Sequence, residues 1–150
     1  MRVHHVCLCV SDLKESLKLY CDFLGFELYN SPGLRFGPTL SEDITGVKDA
    51  KGKVRLLVKD DVMLEVNQFF NPLTKKVPRE ILGYGNVGLT ELALTVDDID
   101  EWFEKVKAAG YETQTDYVWE AGIYRSFLFY DPDDILIQLI QEIPQDGESS

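Results

Sequence analysis

Hydrophobic and polar residues alternate near the start of the chain in a pattern that is typical of a β-strand. Val6, Leu8 and Val10 occupy every second position, and successive strand residues point to opposite faces of a sheet. The same alternation returns 86 residues later, at Leu92, Leu94 and Val96. The pattern therefore predicts an internal repeat with a strand at the start of each copy.

Each of these strands is followed by a predicted helix. Asp12 stands three residues before Glu15, and Asp98 stands three residues before Glu101, which is the spacing of a capping box at a helix start. Glycine follows each helical stretch and can end it in the left-handed conformation. The apolar residues of the two helices recur at helical spacing, at Leu13, Leu17, Tyr20 and Leu24 and at Ile99, Phe103 and Val106.

Three more strands are predicted in each copy. The first copy has a short stretch at residues 26–29, then VRLLVKD and VMLEVNQFF; the second has a stretch around residues 111–117, then YRSFLFY and ILIQLIQ. The predicted fold class is therefore α+β, with two tandem βαβββ modules. We expect one domain over residues 1–150, with module one at about 1–70, a linker at about 71–87, module two at about 88–142 and a frayed tail at 144–150. Residues 31–52 are expected to form a long loop with short embedded structure.

Four polar residues interrupt the apolar strands at equivalent positions of the two copies. His5 and Glu91 align at the start of the first strand, and Glu65 and Gln138 align when VMLEV is laid on ILIQL. Each points away from its apolar neighbours, so the four are expected to line one concave surface. A polar residue inside an apolar strand is costly unless it is paired. Two interpretations stay open: a shared ligand site, or a hydrogen-bonded cluster in which His5 donates to Glu91 and Gln138 donates to Glu65.

Composition and charge limit the classes of partner. Acidic residues outnumber basic ones 26 to 15, for a formal net charge of −11, which disfavours nucleic acid and anionic membranes. No apolar run is long enough to span a bilayer and the N-terminus lacks a signal peptide, so we expect a cytoplasmic protein. Three cysteines make no disulfide framework, and Cys7 and Cys9 are predicted to be small buried strand residues.

The sequence resembles the vicinal oxygen chelate superfamily, the glyoxalase, bleomycin resistance protein and dioxygenase fold family. The similar segments are HHVCLCVSDLKESLKLYCDFLGF, LEVNQFFNP, LALTVDDIDEWFEKVKAAGYE and FYDPDDILIQLIQ. The resemblance implies that the modules form an open, curved mixed-sheet half-barrel with a central cleft. It also implies a divalent metal held by two side chains from each module, which here are His5, Glu65, Glu91 and Gln138. The metal would be Mn, Co, Ni, Fe or Zn.

The resemblance ranks the possible functions. Extradiol dioxygenases and fosfomycin-modifying enzymes use two histidines and one carboxylate, and Glu91 and Gln138 depart from that set. We therefore expect a metal-dependent lyase or isomerase of the glyoxalase and epimerase type. It would act on a small carbonyl compound by proton transfer next to a metal-bound oxygen, with Glu91 or Glu65 as the base.

The alternative is a metal-free protein of the bleomycin-resistance type that binds a drug or metabolite. Glu91 and Gln138 favour it, since relatives usually have histidine and glutamate at these two positions. A small-molecule pocket and a homodimer are expected in either case. The cleft forms either within one chain or across two. Candidate pocket residues are Met63, Asn67, Phe69, Tyr124 and Arg125.

Overall fold

The structure is a computed structural model that describes residues 1–29 and 38–144, with side chains in the second range from residue 42 onwards. The chain divides into two compact units, Met1–Lys76 and Val77–Ser150. Part of the predicted long loop and most of the predicted tail lie outside the described residues. The predicted linker is shared, because residues 71–76 belong to unit 1 and residues 77–87 to unit 2.

Unit 1 contains one mixed four-stranded sheet with helices. Its elements are β1 (Val6–Cys9), α1 (Leu13–Leu17) with a π-helical continuation (Lys18–Phe23), β2 (Glu27–Leu28), α2 (Pro38–Thr45), β3 (Lys51–Lys59) and β4 (Val62–Asn71). The strand order is β1-β4-β3-β2. β1 runs parallel to β4, and the other neighbours are antiparallel.

Unit 2 repeats this arrangement. Its elements are α3 (Arg79–Leu82), β5 (Glu91–Thr95), α4 (Ile99–Ala108), β6 (Trp119–Ala121), β7 (Tyr124–Tyr130) and β8 (Leu136–Glu142). The strand order is β5-β8-β7-β6, with β5 parallel to β8. The predicted α+β class and the two βαβββ modules are confirmed.

Caps and apolar faces account for these elements. The Asp12 carboxylate accepts hydrogen bonds from the backbone N–H groups of Lys14 and Glu15, and Asp98 accepts one from Glu101. The helices and one face of each sheet then bury their apolar side chains. The largest fully buried side chains include Tyr20, Leu57 and Leu64 in unit 1 and Phe127, Phe129 and Ile137 in unit 2.

The predicted strand at residues 111–117 is wrong in position. The structure places β6 at Trp119–Ala121, and Thr113 makes only an isolated bridge with Phe129. The cause is the turn at Gly122, where φ is +60°. This turn pairs Ala121 with Tyr124, so the hairpin brings the residues just before Gly122 against β7.

Two equivalent glutamines tie the last strand of each copy to the start of its helix. The Gln68 side chain accepts from Leu13 N (3.1 Å) and donates to Ser11 O (2.9 Å). The Gln141 side chain accepts from Ile99 N (3.2 Å) and donates to Asp97 O (2.6 Å). These two glutamine braces supply a hydrogen-bond partner to groups at the helix start that have none within the helix. They mark the helix-facing side of each sheet.

Among the described residues, no helix combines the length and apolar character that crossing a membrane requires.

Candidate functional site

In unit 1 the candidate residues share the sheet face that points away from the helix. Cys7 pairs with Glu65 and Cys9 with Asn67 along the parallel β1–β4 ladder, and His5 lies just before β1. The Nε2 atom of His5 is 3.5 Å from Glu65 Oε2. Strand alternation therefore brings an imidazole and a carboxylate together, as the sequence pattern implies.

His5 and Glu65 each have one polar atom in a hydrogen bond with a neighbouring side chain. Asn67 Nδ2 donates to Glu65 Oε1 at 2.9 Å and contacts Cys7 Sγ at 2.9 Å. The Nδ1 atoms of His4 and His5 lie 2.8 Å apart, with the donor set by the tautomers. His5 Nε2 and Glu65 Oε2 are thus the atoms left facing each other.

Asn67 itself has one unsatisfied atom. The residue is buried, with 5% of its surface exposed. Its Oδ1 atom is buried without a hydrogen-bond partner among the described residues. A buried carbonyl oxygen without a donor is costly.

The prediction that Cys7 and Cys9 are buried is wrong, because both are exposed. They lie on the same face as His5, opposite the helix-facing Val6 and Leu8. Partial burial of the Cys7 thiol, followed by the charge of Glu65, raises its pKa to about 11. At neutral pH the thiol is therefore protonated and a poor nucleophile.

In unit 2 Glu91 and Gln138 also share one face. Glu91 pairs with Leu136 and Ala93 pairs with Gln138 on the parallel β5–β8 ladder, so the two side chains are one ladder step apart. Gln138 Nε2 donates to Ser126 Oγ at 2.9 Å, and that hydroxyl donates to Leu139 O at 2.7 Å. The amide nitrogen of Gln138 is thus used within unit 2.

The Glu91 carboxylate has its own partner, the hydroxyl of Tyr84, which donates to Oε2. This hydrogen bond, followed by partial burial, raises the pKa of Tyr84 to about 12. The other oxygen of the Glu91 carboxylate, Oε1, does not take part in this hydrogen bond. The sequence did not indicate Tyr84, because it lies in the linker, where no periodicity assigns a direction to a side chain.

The structure places the predicted pocket residues on different faces. Met63, Asn67 and Phe69 alternate with the helix-facing residues of β4, and Tyr124 pairs with Glu142 on the Gln138 face of unit 2. Arg125 lies on the opposite, helix-facing side. Its guanidinium makes two bonds to Asp100, at 2.7 and 2.9 Å, and one to Glu120 at 3.2 Å.

A pocket of about 480 Å³ lies beside the candidate residues of unit 2. Tyr84 and Leu136, both neighbours of Glu91, line it together with Tyr130. Arg79 of α3 lies over the Tyr130 ring, 3.9 Å from its centroid, and pairs with Glu112 (2.7 Å) and Asp134 (2.6 Å). The short helix α3 is thereby fixed against the sheet of unit 2.

The described residues contain no group of three or more His, Cys, Asp and Glu side chains arranged to hold a metal. Each unit instead offers a pair of donors: His5 with Glu65, and Glu91 with Gln138. Imidazole, carboxylate and amide groups are donor types that suit divalent ions of borderline or hard character.

Comparison with known proteins gives consistent matches over nearly the whole chain. The model of the Glyoxalase/Bleomycin resistance protein/Dioxygenase superfamily matches residues 2–139. A glyoxalase family protein from Bacillus cereus has a similar crystal structure, with a TM-score of 0.80, 21% identity, and coverage of 96% of this chain and 95% of that chain.

Two further solved structures share the fold. A genomically encoded fosfomycin resistance protein from Listeria monocytogenes matches with a TM-score of 0.62 and 18% identity, covering 98% of this chain and 95% of that chain. TnmS3, an antibiotic binding protein from Streptomyces sp. CB03234, matches with a TM-score of 0.59 and 21% identity, covering 95% and 98%. One fold thus serves proteins with different functions.

Proposed function

The chain belongs to the Glyoxalase/Bleomycin resistance protein/Dioxygenase superfamily, and from that premise we propose that it is a metal-dependent lyase or isomerase of the glyoxalase and epimerase type. Its substrate is a small carbonyl compound, and its reaction moves a proton on the carbon beside the carbonyl. His5, Glu65, Glu91 and Gln138 hold one divalent ion, with Mn, Co, Ni, Fe and Zn as the candidates.

The observation that carries this proposal is the arrangement around the four donors. Each has one polar atom engaged by a neighbour: His5 by His4, Glu65 by Asn67, Glu91 by Tyr84, and Gln138 by Ser126. Residues that bind metals are typically oriented in this way by outer hydrogen bonds.

The donor set also fits a divalent ion by charge. Two carboxylates supply two negative charges, and the imidazole and amide are neutral. Because Ser126 accepts from the Gln138 amide nitrogen, the amide oxygen is the atom left for a cation. When bound, the ion supplies stabilisation for the negative charge that develops on the carbonyl oxygen of the substrate.

Glu91 and Glu65 are the proposed proton carriers. Gln138 cannot serve, because an amide does not take up a proton at neutral pH. One carboxylate oxygen accepts the proton from the substrate carbon and returns it to the product. Tyr84 holds Glu91 Oε2, so Oε1 is the Glu91 atom available to the ion or, when Glu91 serves as the base, to the proton. Met63, Asn67, Phe69 and Tyr124 contact the substrate.

The deciding experiment is elemental analysis of protein purified without chelator. We expect about one divalent ion per chain in the wild type and loss of that ion in His5→Ala. Glu91→Gln should lose both the ion and proton exchange at the substrate carbon. NMR in deuterated water measures that exchange. Glu104→Gln, an exposed change on α4, is the matched control and should keep both.

A result in which Glu91→Gln retained full proton exchange would contradict the proposed role of Glu91. Absence of metal after incubation with each of the five ions would contradict the metal site itself. That outcome would favour the second candidate, a metal-free protein that binds a drug or metabolite.

The second candidate has its own support. TnmS3, an antibiotic binding protein, shares the fold over most of the chain, and Asn67 is one of the candidate pocket residues. A binding protein of this kind would be stabilised by its ligand without any metal. The test is a rise in melting temperature with a panel of antibiotics in the presence of chelator, and Asn67→Leu should abolish that rise.

A further inference from the structure

The helix side of unit 1 contains a pocket that the proposed function does not use. It has a volume of about 530 Å³ and lies between α1 with its π-helical continuation and strands β3 and β4. Gln68, which forms the brace on this side, lines it, so the pocket is on the opposite face of the sheet from Glu65 and Asn67. The charged residues of its lining are Lys14, Lys18, Lys53, Arg55, Asp12 and Asp22.

The pocket is positive in a strongly negative chain. It collects four of the 15 basic residues, while the whole sequence has a net charge of −11. Lys18 is paired with Glu15 at 2.7 Å. Arg55 donates to the carbonyl of Val54 (2.7 Å) and Lys53 lies 5.6 Å from the Phe70 ring centroid. Neither of these contacts neutralises a charge.

Among the residues that the structure describes, Lys14, Lys53 and Arg55 form no ion pair with an acidic side chain. Glu15, next to Lys14 in sequence, pairs with Lys18, and Asp12 is engaged as the helix cap through the backbone N–H groups of Lys14 and Glu15. The pocket therefore holds three positive charges that its own acidic residues leave unpaired.

Unit 2 has an ion pair at the positions equivalent to this pocket. In unit 2 the residue opposite the brace Gln141 is Arg125, and in unit 1 the residue opposite the brace Gln68 is Lys53. Asp100 follows the first residue of α4 just as Lys14 follows the first residue of α1. Arg125 and Asp100 form a two-bond ion pair at 2.7 and 2.9 Å that joins helix to strand.

Unit 1 cannot make the equivalent ion pair. The position of the aspartate is taken by Lys14 and that of the arginine by Lys53, so two like charges replace a matched pair. The glutamine brace is the same in both units. In unit 2 the Asp100 carboxylate neutralises the basic side chain on the strand. In unit 1 that role is left to a bound anion or to solvent.

We propose that this pocket is a binding site for a small phosphate-bearing molecule. A phosphate group carries up to two charges and several acceptor oxygens, which suits two lysines and the planar fork of Arg55. Leu13 and Leu17 also line the pocket and give apolar contact to an organic part. The ligand is therefore an organic phosphate ester or free phosphate, held on the face of unit 1 that the carbonyl chemistry does not use.

The test measures the binding of two probes, inorganic pyrophosphate and adenosine diphosphate, to the full-length protein by isothermal titration calorimetry. The informative variant is Lys14→Asp/Lys53→Arg, which installs in unit 1 the ion pair that unit 2 already has. We expect the wild type to bind at least one probe, and the variant to bind it about tenfold more weakly or less. Lys48→Asp removes the same charge outside the pocket and should bind like the wild type.

The two probes distinguish the sources of phosphate. Tighter binding of the nucleotide supports an organic ester that uses Leu13 and Leu17, and equal binding supports free phosphate. Equal affinities of the wild type and the Lys14→Asp/Lys53→Arg variant would overturn the proposal, as would absence of binding to both probes at about 10 mM. Metal content, measured in parallel, reports separately on the proposed function, since neither substituted lysine is a proposed ligand.

Discussion

Gln138 illustrates how a single residue is oriented at the candidate site. An amide can present either its nitrogen or its oxygen, and only the oxygen can bind a cation. Ser126 accepts from the nitrogen and is itself fixed by its bond to the Leu139 carbonyl. The hydroxyl therefore decides which end of Gln138 is available.

Replacing this hydroxyl should weaken metal binding without removing a ligand. In Ser126→Ala the Gln138 amide loses its partner and can rotate, so we expect metal affinity to fall by about tenfold, the lower end for loss of an outer hydrogen bond. Competition with a chelating dye measures the change. Ser16→Ala is the control, because Ser16 is also buried and donates to a backbone carbonyl, that of Asp12. Equal affinities in the two variants would contradict the orienting role of Ser126.

The sequence predicts the candidate ligands better than it predicts their partners. His5 and Glu65 follow from strand alternation and the repeat, since period two assigns each residue to a face. Ser126 sits on a different strand, and its contact with Gln138 depends on the β7–β8 register, which the local pattern does not contain. Arg125, next to it, is a candidate pocket residue because its guanidinium could anchor an anion, but as the strand neighbour of Ser126 it points to the opposite face.

At the scale of elements, α3 shows how a short helix can be fixed by charge. It has only four residues, too few for a stable helix on its own, and Arg79 supplies its contacts to Glu112, Asp134 and Tyr130. Hydrogen bonding to Arg79 holds the pKa of the Glu112 carboxyl below its usual range.

Acid should release this helix. Because the Glu112 pKa is lowered in the folded chain, its contribution is fully present above the ordinary glutamate pKa and is lost as pH falls through the lowered value. We expect the amide NMR signals of residues 79–82 to change in that acidic range. Arg79→Gln should show the released signals already at neutral pH, and Glu80→Gln should keep the wild-type profile. A wild-type profile in Arg79→Gln would contradict this account.

Elements with a repeating pattern were predictable, and those fixed by one contact were not. The first strand and helix of each copy follow from alternation and capping spacing, and both caps form as predicted. Helix α3 depends on one arginine whose partners lie 33 and 55 residues later. β6 depends on a single glycine with positive φ, which shifted the strand from its predicted position.

At the scale of the whole molecule, the net charge disfavours association between chains, whereas the exposed apolar side chains favour it. A net charge of −11 favours dispersed chains. Yet large apolar side chains are exposed from residue 70 to residue 89, among them Phe70, Leu73, Val77, Ile81, Val87 and Leu89. Clustered exposed apolar residues often mark a contact with another chain.

We therefore expect a homodimer in solution, with a sedimentation mass of about twice 17.1 kDa. Val87→Asp places a charge in the exposed apolar segment and should shift the mass to that of one chain. Val62→Asp makes the same change at another exposed valine, outside that segment, and should stay dimeric. A wild type that sediments as a single chain at all concentrations would contradict the expectation.

The two glutamine braces also bear on ancestry. The same residue makes the same pair of bonds in both copies, which is most simply explained by duplication of one ancestral half that already contained it. Traits common to both halves then predate the duplication, and traits of one half are later acquisitions. By this relative dating the braces are old, whereas either the Lys14 charge or its counterpart Asp100 is a newer change. Each half of the chain is thus a reference against which divergence in the other can be measured.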